Sequence, residues 1–408
     1  MYKHRYLEPY ILKLSKAFPV ILLTGPRQVG KTTLLQYLGS KEPQRRSYVS
    51  LDEFAPRNLA NNDPELFLER HKPPLIIDEI QYAPALLQRI KVLVDRSRKN
   101  GQYWLTGSQH FTLMQGVSES LAGRTAIIKL LGFSQGEEYG AVDTGKPFRP
   151  DRIMPPSKQA PAGIKALFNR IVRGTFPRFI HKDSPPFQAF HGSYLQTYIE
   201  RDVRSIANIV NLSAFEKFLR LAAARSAQLL NLSDLARDAQ IAVSTAKEWI
   251  GILEASFQVY LLKPYFHNIS KRQIKTPKLY FLDTGLVCYL TGWHNAEVAS
   301  QGAMAGSLLE NYVISEVIKN YWHRGLEAPL YFWRTKEKEE VDLIIEESGT
   351  IFPVEIKLTM RPDNNAVKGI ATIRKSGRKI GKGAVVCPAE DHYPLSSDID
   401  VVPVSYLN

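Results

Sequence analysis

Apolar runs recur along the first third of the chain at intervals that leave room for a helix between them. Residues 20–24, 47–51, 75–78, 103–106 and 125–131 read as strands. Strands alternating with helices predict an α/β fold with a parallel sheet over residues 1–140. Leu75, Ile76 and Ile77 are apolar at every position, the pattern of a strand buried on both faces. The pattern then changes. Residues 143–161 carry many Pro, Lys and Asp with no period and read as a loop or insertion. Residues 164–200 have helical spacing broken at Gly174 and Pro177, so 141–212 is expected to be a loop followed by a small helical lid.

Residues 213–283 form a further unit. Phe215, Phe218, Leu219 and Ala222 share one face of a helix. Another helix starts at Leu232, capped by Ser233 or Asn231. After a short turn at Ile241-Ala242-Val243, a third runs from Ser244 through Leu253. This is the helix-turn-helix layout. Strands at 257–262 and 279–282 follow. Between them lie Lys263, His267, Lys271, Arg272, Lys275 and Lys278 with no acid, which reads as a winged helix with a basic wing. The functional reading is phosphate contact by the wing and groove entry by Ser244, Thr245 and Lys247. The alternative is a winged helix used for protein packing. Residues 284–408 begin an αβββαβ order: a helix at 306–321, strands at 330–334, 340–346 and 351–358, a basic helix near 367–375, and strands at 383–387 and 401–404.

Length and charge narrow the field. The 408 residues suffice for about two or three domains. A formal net charge of +13 favours phosphate-bearing partners, meaning nucleotide plus nucleic acid or an anionic membrane surface. Cys288 and Cys387 are the only cysteines, which excludes a disulfide framework and a cysteine zinc site and fits a cytoplasmic, reducing compartment. The N-terminus lacks a signal-peptide core, and no apolar run approaches a membrane span.

Gly25-Pro26-Arg27-Gln28-Val29-Gly30-Lys31-Thr32 is a G-x-x-x-x-G-K-[ST] loop between a strand and a helix that opens with Thr33. Gly25 and Gly30 let backbone N–H groups cradle phosphates. Lys31 can reach the β and γ phosphates, and the Thr32 hydroxyl can hold Mg²⁺. The following helix adds its dipole. Asp78 and Glu79 end the strand at 75–78, at the edge where α/β sheets bind ligands. Asp78 would hold Mg²⁺ through water, and Glu79 would orient the attacking water. Thr106 or Ser108 sits where a hydroxyl could meet the γ-phosphate, although an ordinary turn cap has the same signature.

A second constellation lies near the C-terminus. Glu355 and Lys357 are two apart on a strand and share a face. A turn at Ser348-Gly349 pairs Glu347 with Thr350, and counting outward sets Asp342 opposite Glu355. Two carboxylates and a lysine converge, with Glu310 on the preceding helix as a further donor. The carboxylates can hold Mg²⁺ or Mn²⁺, with Lys357 as the group that activates water or stabilises charge. A surface hairpin with an ion pair would look the same.

The chain resembles the prokaryotic AAA-type P-loop ATPases that carry a C-terminal winged helix and a restriction-endonuclease-like domain of unknown function. The signs are Leu23–Thr32, Ile77-Asp78-Glu79-Ile80-Gln81, Leu105-Thr106-Gly107-Ser108 and Ser120-Leu121-Ala122-Gly123-Arg124. Further along come Tyr198-Ile199-Glu200-Arg201-Asp202-Val203, Lys278-Leu279-Tyr280-Phe281-Leu282-Asp283-Thr284-Gly285, and Glu340-Val341-Asp342 with Glu355-Ile356-Lys357. The resemblance implies ATP binding with Mg²⁺ and ATP hydrolysis. It nominates Arg124 to contact the γ-phosphate, within the chain or from a neighbouring subunit; a structural salt bridge is the alternative. The family's lid commonly has two adjacent glycines before an aromatic-proline pair, and Gly174-Thr175-Phe176-Pro177 keeps one.

Two functions remain on the sequence. In one, ATP drives an enzyme on DNA with metal-dependent cleavage at the C-terminal domain. In the other, the chain is a nucleotide-controlled DNA- or protein-binding switch with an inactive nuclease-like domain. Arg201, Asp202 and Arg204 lie where they could couple the units in either case. ATP or ADP and DNA are the expected partners, with a protein partner and homo-oligomerisation left open.

Overall fold

The computed structural model describes the chain apart from residues 1, 108–116, 118, 119, 142, 144, 159, 161, 162, 181, 182, 199–202, 204–210, 266–275, 336, 338 and 376. The N-terminal runs form strands β1 (Val20–Thr24), β2 (Ser47–Ser50), β3 (Leu75–Asp78), β4 (Tyr103–Gly107) and β5 (Thr125–Lys129). Their order is β2-β3-β4-β1-β5, and every neighbouring pair is parallel. Side chains alternate faces along a strand. Ile21 and Leu23 of β1 therefore enter one core, and Val20 and Leu22 another. With both faces covered, β1 is buried at every position and ends at Thr24 on the ligand-binding edge.

The other strands are β6 (Gln228–Leu229), β7 (Val259–Pro264), β8 (Lys278–Phe281), β9 (Leu330–Arg334), β10 (Glu340–Glu347), β11 (Thr350–Ile356), β12 (Gly383–Cys387), β13 (Tyr393–Ser396) and β14 (Ile399–Pro403). They form one nine-stranded sheet, ordered β13-β14-β12-β11-β10-β9-β7-β8-β6. The sheet runs unbroken across residue 283, because β7 lies parallel to β9 with Lys263 opposite Tyr331 and Pro264 opposite Phe332. Helices Leu212–Ala224, Leu232–Ala239 and Val243–Ala255 lead into β7, and Asn231 caps the second of them through Ser233 N–H and Asp234 N–H. His267, Lys271, Arg272 and Lys275 of the expected wing lie outside the described residues, as do Arg201, Asp202 and Arg204.

C-terminal to these, helix Ala305–Trp322, β9, β10, β11, helix Lys368–Arg374 and β12 follow the αβββαβ order. Ser348 and Gly349 both have left-handed backbone, φ +50° and +74°, as a two-residue primed hairpin turn needs. Glu347 pairs with Thr350 and Leu343 with Val354, the register read from the sequence.

Helix Ala305–Trp322 is buried on nearly all sides, yet it carries charge. Charges survive burial only when paired and hydrogen-bonded. Glu316 accepts from Gln135 N–H at 2.7 Å, from Lys319 Nζ at 2.9 Å and from Arg170 Nη2 at 3.4 Å. Glu138 pairs with Arg170 and Arg173 of helix Ile164–Arg173. Glu137 Oε2 meets His323 Nδ1 at 2.9 Å, and His323 Nε2 accepts from Leu131 N–H at 3.1 Å. One ring nitrogen donates and the other accepts, which defines a neutral imidazole; burial lowers the His323 pKa in the same sense. Burial alone would raise the Glu137 carboxyl, but Arg5 and His323 outweigh it and hold it well below the ordinary range. This junction joins the nucleotide-binding sheet, the lid and the C-terminal unit.

Glu316→Leu should therefore cost about 3–5 kcal/mol, because Lys319 and Arg170 would stay buried without their shared carboxylate. Urea denaturation measures this, and a loss below about 1 kcal/mol, the size of a surface pair, would assign the junction no structural weight. Acid acts on the junction as well. Burial lowers the pKa of His323, and also that of His191, buried in helix Phe187–Thr197 outside the junction, so the unfolded chain takes up protons that the fold refuses. Stability should decline as pH falls below about 6.5, the unfolded histidine value, with a further loss below the Glu137 reference of 4.5. Melting temperatures across that range read it.

Candidate nucleotide site and C-terminal acid cluster

The loop after β1 folds back tightly. Gly25 has φ +150°, and a Cβ there would come within 1.9 Å of Leu130 O, so only glycine fits. Gln28 and Gly30 also have left-handed backbone, at φ +61° and +90°, just before helix Lys31–Lys41. Lys31 is buried, and its Nζ donates to Gly25 O at 3.0 Å and Pro26 O at 2.8 Å. Thr32 Oγ1 donates to Asp78 Oδ1 at 2.7 Å. Asp78 also accepts from Tyr48 OH at 3.1 Å and from Thr106 Oγ1. A hydroxyl and a carboxylate so close are hard oxygen donors, and they fit Mg²⁺. Glu79 sits in the left-handed region at φ +56°. Its N–H donates to Thr106 Oγ1 at 3.2 Å, and its carboxylate accepts from Gln81 Nε2. Thr106 thus holds the Asp78 carboxylate and the Glu79 backbone. Ser108 lies outside the described residues.

An open cavity of about 770 Å³ lies over this loop. Arg27, Gln28, Gly30, Lys31, Thr32, Thr33 and Glu79 line one side. Pro177, Arg178, Phe190 and Thr197, from the segment expected to be a lid, line the other. Val29 packs into the core instead. Tyr48 and Arg178 belong to no motif. For Arg178 the usable signal is its place directly after the break at Gly174 and Pro177. The lid loop is itself fixed. Thr175 N–H and Oγ1 donate to one carboxylate oxygen of Asp283 at 2.7 and 2.8 Å. A Cβ on Gly174 would come within 2.5 Å of Asp283 Oδ1.

Arg124 is far from this cavity. Its carbonyl accepts from Val20 N–H, at the opposite end of β1 from Thr24. Four residue steps of strand put about 13 Å between them. Its guanidinium holds both oxygens of Asp95. The expectation that Arg124 reaches the γ-phosphate within its own chain is therefore corrected.

At the C-terminal cluster, Asp342 and Glu355 are next in register after the Leu343–Val354 pair. Asp342 Oδ2 accepts from Ile356 N–H at 2.8 Å. Lys357 Nζ lies 2.9 Å from Glu355 Oε2 and 3.7 Å from Asp342 Oδ2. Glu355 is pushed up to about 9 by burial and by the charge of Asp342. Glu310 is pushed up to about 7 by the same two causes. Glu310 has other company, however. Its Oε1 accepts from Lys278 Nζ at 2.8 Å and from Tyr280 OH at 2.6 Å, and Lys278 also pairs with Glu340. Lys278, read as part of a basic wing, is therefore buried inside this cluster. The donor types of Asp342, Glu355 and Glu310 suit Mg²⁺ or Mn²⁺, but lysines already hold them. Among the described residues no group of three or more His, Cys, Asp or Glu could hold a metal ion. As they stand, these residues do not fit the expected metal.

A parallel sheet with this loop at its carboxyl edge defines a P-loop nucleotide-binding domain. A family model described as an AAA domain matches residues 17–139. Models of two domains of unknown function, DUF8612 and DUF4143, match residues 164–297 and 305–407. The uncharacterized proteins Rv2008c of Mycobacterium tuberculosis and Mb2031c of Mycobacterium bovis are each 30% identical over 393 residues, which is 95% of this chain and 81% of theirs. The chain belongs to their family, one that joins an ATP-binding AAA domain to C-terminal domains of unknown function. Among solved structures, the Thermotoga maritima RuvB Holliday junction branch migration motor matches loosely, with a TM-score of 0.33 and 16% identity over 64% of this chain and 90% of its own. A structure titled for katanin self-assembly matches with a TM-score of 0.26 and 15% identity over 60% and 82%. Among the described residues no helix is long and apolar enough to cross a membrane.

Lys31→Ala should weaken ATP binding about tenfold or more, since each hydrogen bond to a charged phosphate oxygen contributes about 1.5–3 kcal/mol. Glu79→Gln should keep binding and lose turnover. Calorimetry and phosphate release separate the two, and equal ATP affinity in Lys31→Ala and wild type would sink the assignment.

Proposed function

We propose that this protein hydrolyses ATP and uses its nucleotide state to switch the grip of its C-terminal half on DNA. One observation carries the reading. The lid segment that walls the nucleotide cavity is bonded, through Thr175, to Asp283, two residues beyond β8. Movement of the lid on hydrolysis has a direct route into the second sheet. In this reading Lys31 holds the phosphates, Thr32 and Asp78 hold Mg²⁺, Glu79 orients water, and Arg178 senses the γ-phosphate from the lid. Arg124 would act only from a neighbouring subunit.

DNA as the partner draws support from the net charge of +13 and from the exposed Ser244 and Lys247 at the start of helix Val243–Ala255. Lys271, Arg272 and Lys275 are the proposed phosphate contacts. Metal-dependent cleavage, the other reading of the sequence, is disfavoured by the lysines that hold Asp342, Glu355 and Glu310. Nicking of a plasmid with ATP and Mn²⁺, lost in Asp342→Ala, is the outcome that would restore it.

The switch is tested by DNA titration in three states: ATP-bound Glu79→Gln, ADP-bound, and nucleotide-free. Affinity should differ between states, and Asp283→Asn should abolish the difference while ATP still binds. Equal affinity in all three states would overturn the switch. Replacing Lys271, Arg272 and Lys275 with Ala should flatten the salt dependence by about two to three in slope, at roughly 0.9 for each phosphate no longer neutralised. An unchanged slope would assign the helix-turn-helix unit to protein packing.

A further inference from the structure

We propose that Lys278 is the resident cation of the C-terminal acid cluster, and that the cluster admits a divalent metal ion only when this ammonium group is gone. Lys278 comes from β8, outside the αβββαβ unit whose acids it meets. Its Nζ lies 2.8 Å from Glu310 Oε1 and in contact with Glu340, and its side chain is 5% exposed. Tyr280, two residues on, donates to the same Glu310 oxygen. The grip is therefore built from a strand, not from a stray surface side chain.

Charge balance points the same way. Glu310, Glu340, Asp342 and Glu355 already face three cations, Lys278, Lys357 and Arg334. A divalent ion entering the set would sit a few ångströms from the buried Lys278 ammonium, and like charges that close repel strongly where water is excluded. Removing Lys278 removes that repulsion and frees Glu310 as an oxygen donor. The exclusion of metal by Lys278 does not rest on the proposed nucleotide switch.

The probe is Mn²⁺ alone, titrated by calorimetry into the nucleotide-free full chain. Wild type should bind none at this cluster. Lys278→Met should bind Mn²⁺ at least about a hundredfold more tightly than wild type, from the loss of one like charge a few ångströms away. Asp342→Asn added to Lys278→Met should remove that binding, which separates it from the distant phosphate loop. Lys278→Arg, which keeps the charge, should bind none. ATP binding and thermal melting report whether each variant is folded. If Lys278→Met does not fold, Lys278→Gln serves in its place, since its amide can still donate to Glu310. A folded Lys278→Met or Lys278→Gln that binds no Mn²⁺ would overturn the proposal. So would Mn²⁺ binding by wild type that Asp342→Asn abolishes, whichever variants fold.

Discussion

The buried charges around helix Ala305–Trp322 are the constraint on which the rest is hung. Glu316 and His323 lie out of water; Lys319 pairs with Glu316 inside the helix, but neither Glu316 nor His323 is satisfied by the helix alone. Their partners come from residues 131–138 and from Arg170. An apolar contact of equal area would hold these parts together but leave their angle free. Charged hydrogen bonds fix the geometry, because each donor must face its acceptor. The nucleotide cavity inherits that precision, since one of its walls follows helix Ile164–Arg173 by only four residues.

The cavity wall and the second sheet share a single loop. Phe133 N–H donates to Thr175 O at 2.8 Å, and Asp283 takes the N–H and hydroxyl of the same threonine. Thr175 is therefore clamped from both sides. Gly285 packs so closely on Arg173 O and Gly174 that a Cβ there would come within 2.8 Å of each. The Asp283-Thr284-Gly285 stretch, met in the sequence as a family sign, has a mechanical meaning: acid to grip, glycine to let backbones approach.

Much of the fold was legible because it rests on local pattern. Most of the five parallel strands are apolar runs, and the hairpin at Ser348-Gly349 sets its own register by turn geometry. The phosphate loop was legible for the same reason, since Gly25 through Thr32 are contiguous. What escaped is non-local. Nothing near Lys278 in sequence says that its neighbours are Glu310 and Glu340, so it counts there as one more basic residue of a loop. Arg124 follows a motif but lies at the wrong end of β1, a fact of strand direction. The charges at Glu137, Arg170, Glu316 and His323 look like ordinary solvated positions, because nothing marks a burial that depends on partners more than a hundred residues away. The fusion of two expected units into one sheet rests on two residue pairs between β7 and β9, which no periodicity announces.

The reach of the junction along the chain bears on how the protein comes to be folded. Gln135 is separated from Glu316 by 181 residues, and Glu137 from His323 by 186. During synthesis the first sheet can assemble from neighbouring segments. Glu137 and Glu138 meet Arg5, Arg170 and Arg173 earlier, but the Gln135 N–H and Arg170 wait for the Glu316 carboxylate, and Glu137 for the His323 ring, until the long helix emerges. Long-range closure is slow, and half-made species expose surfaces that the finished fold hides. Until then the docking face carries polar groups that cost little while water reaches them and would cost much if buried unpaired, so the face is held open for its one matching helix.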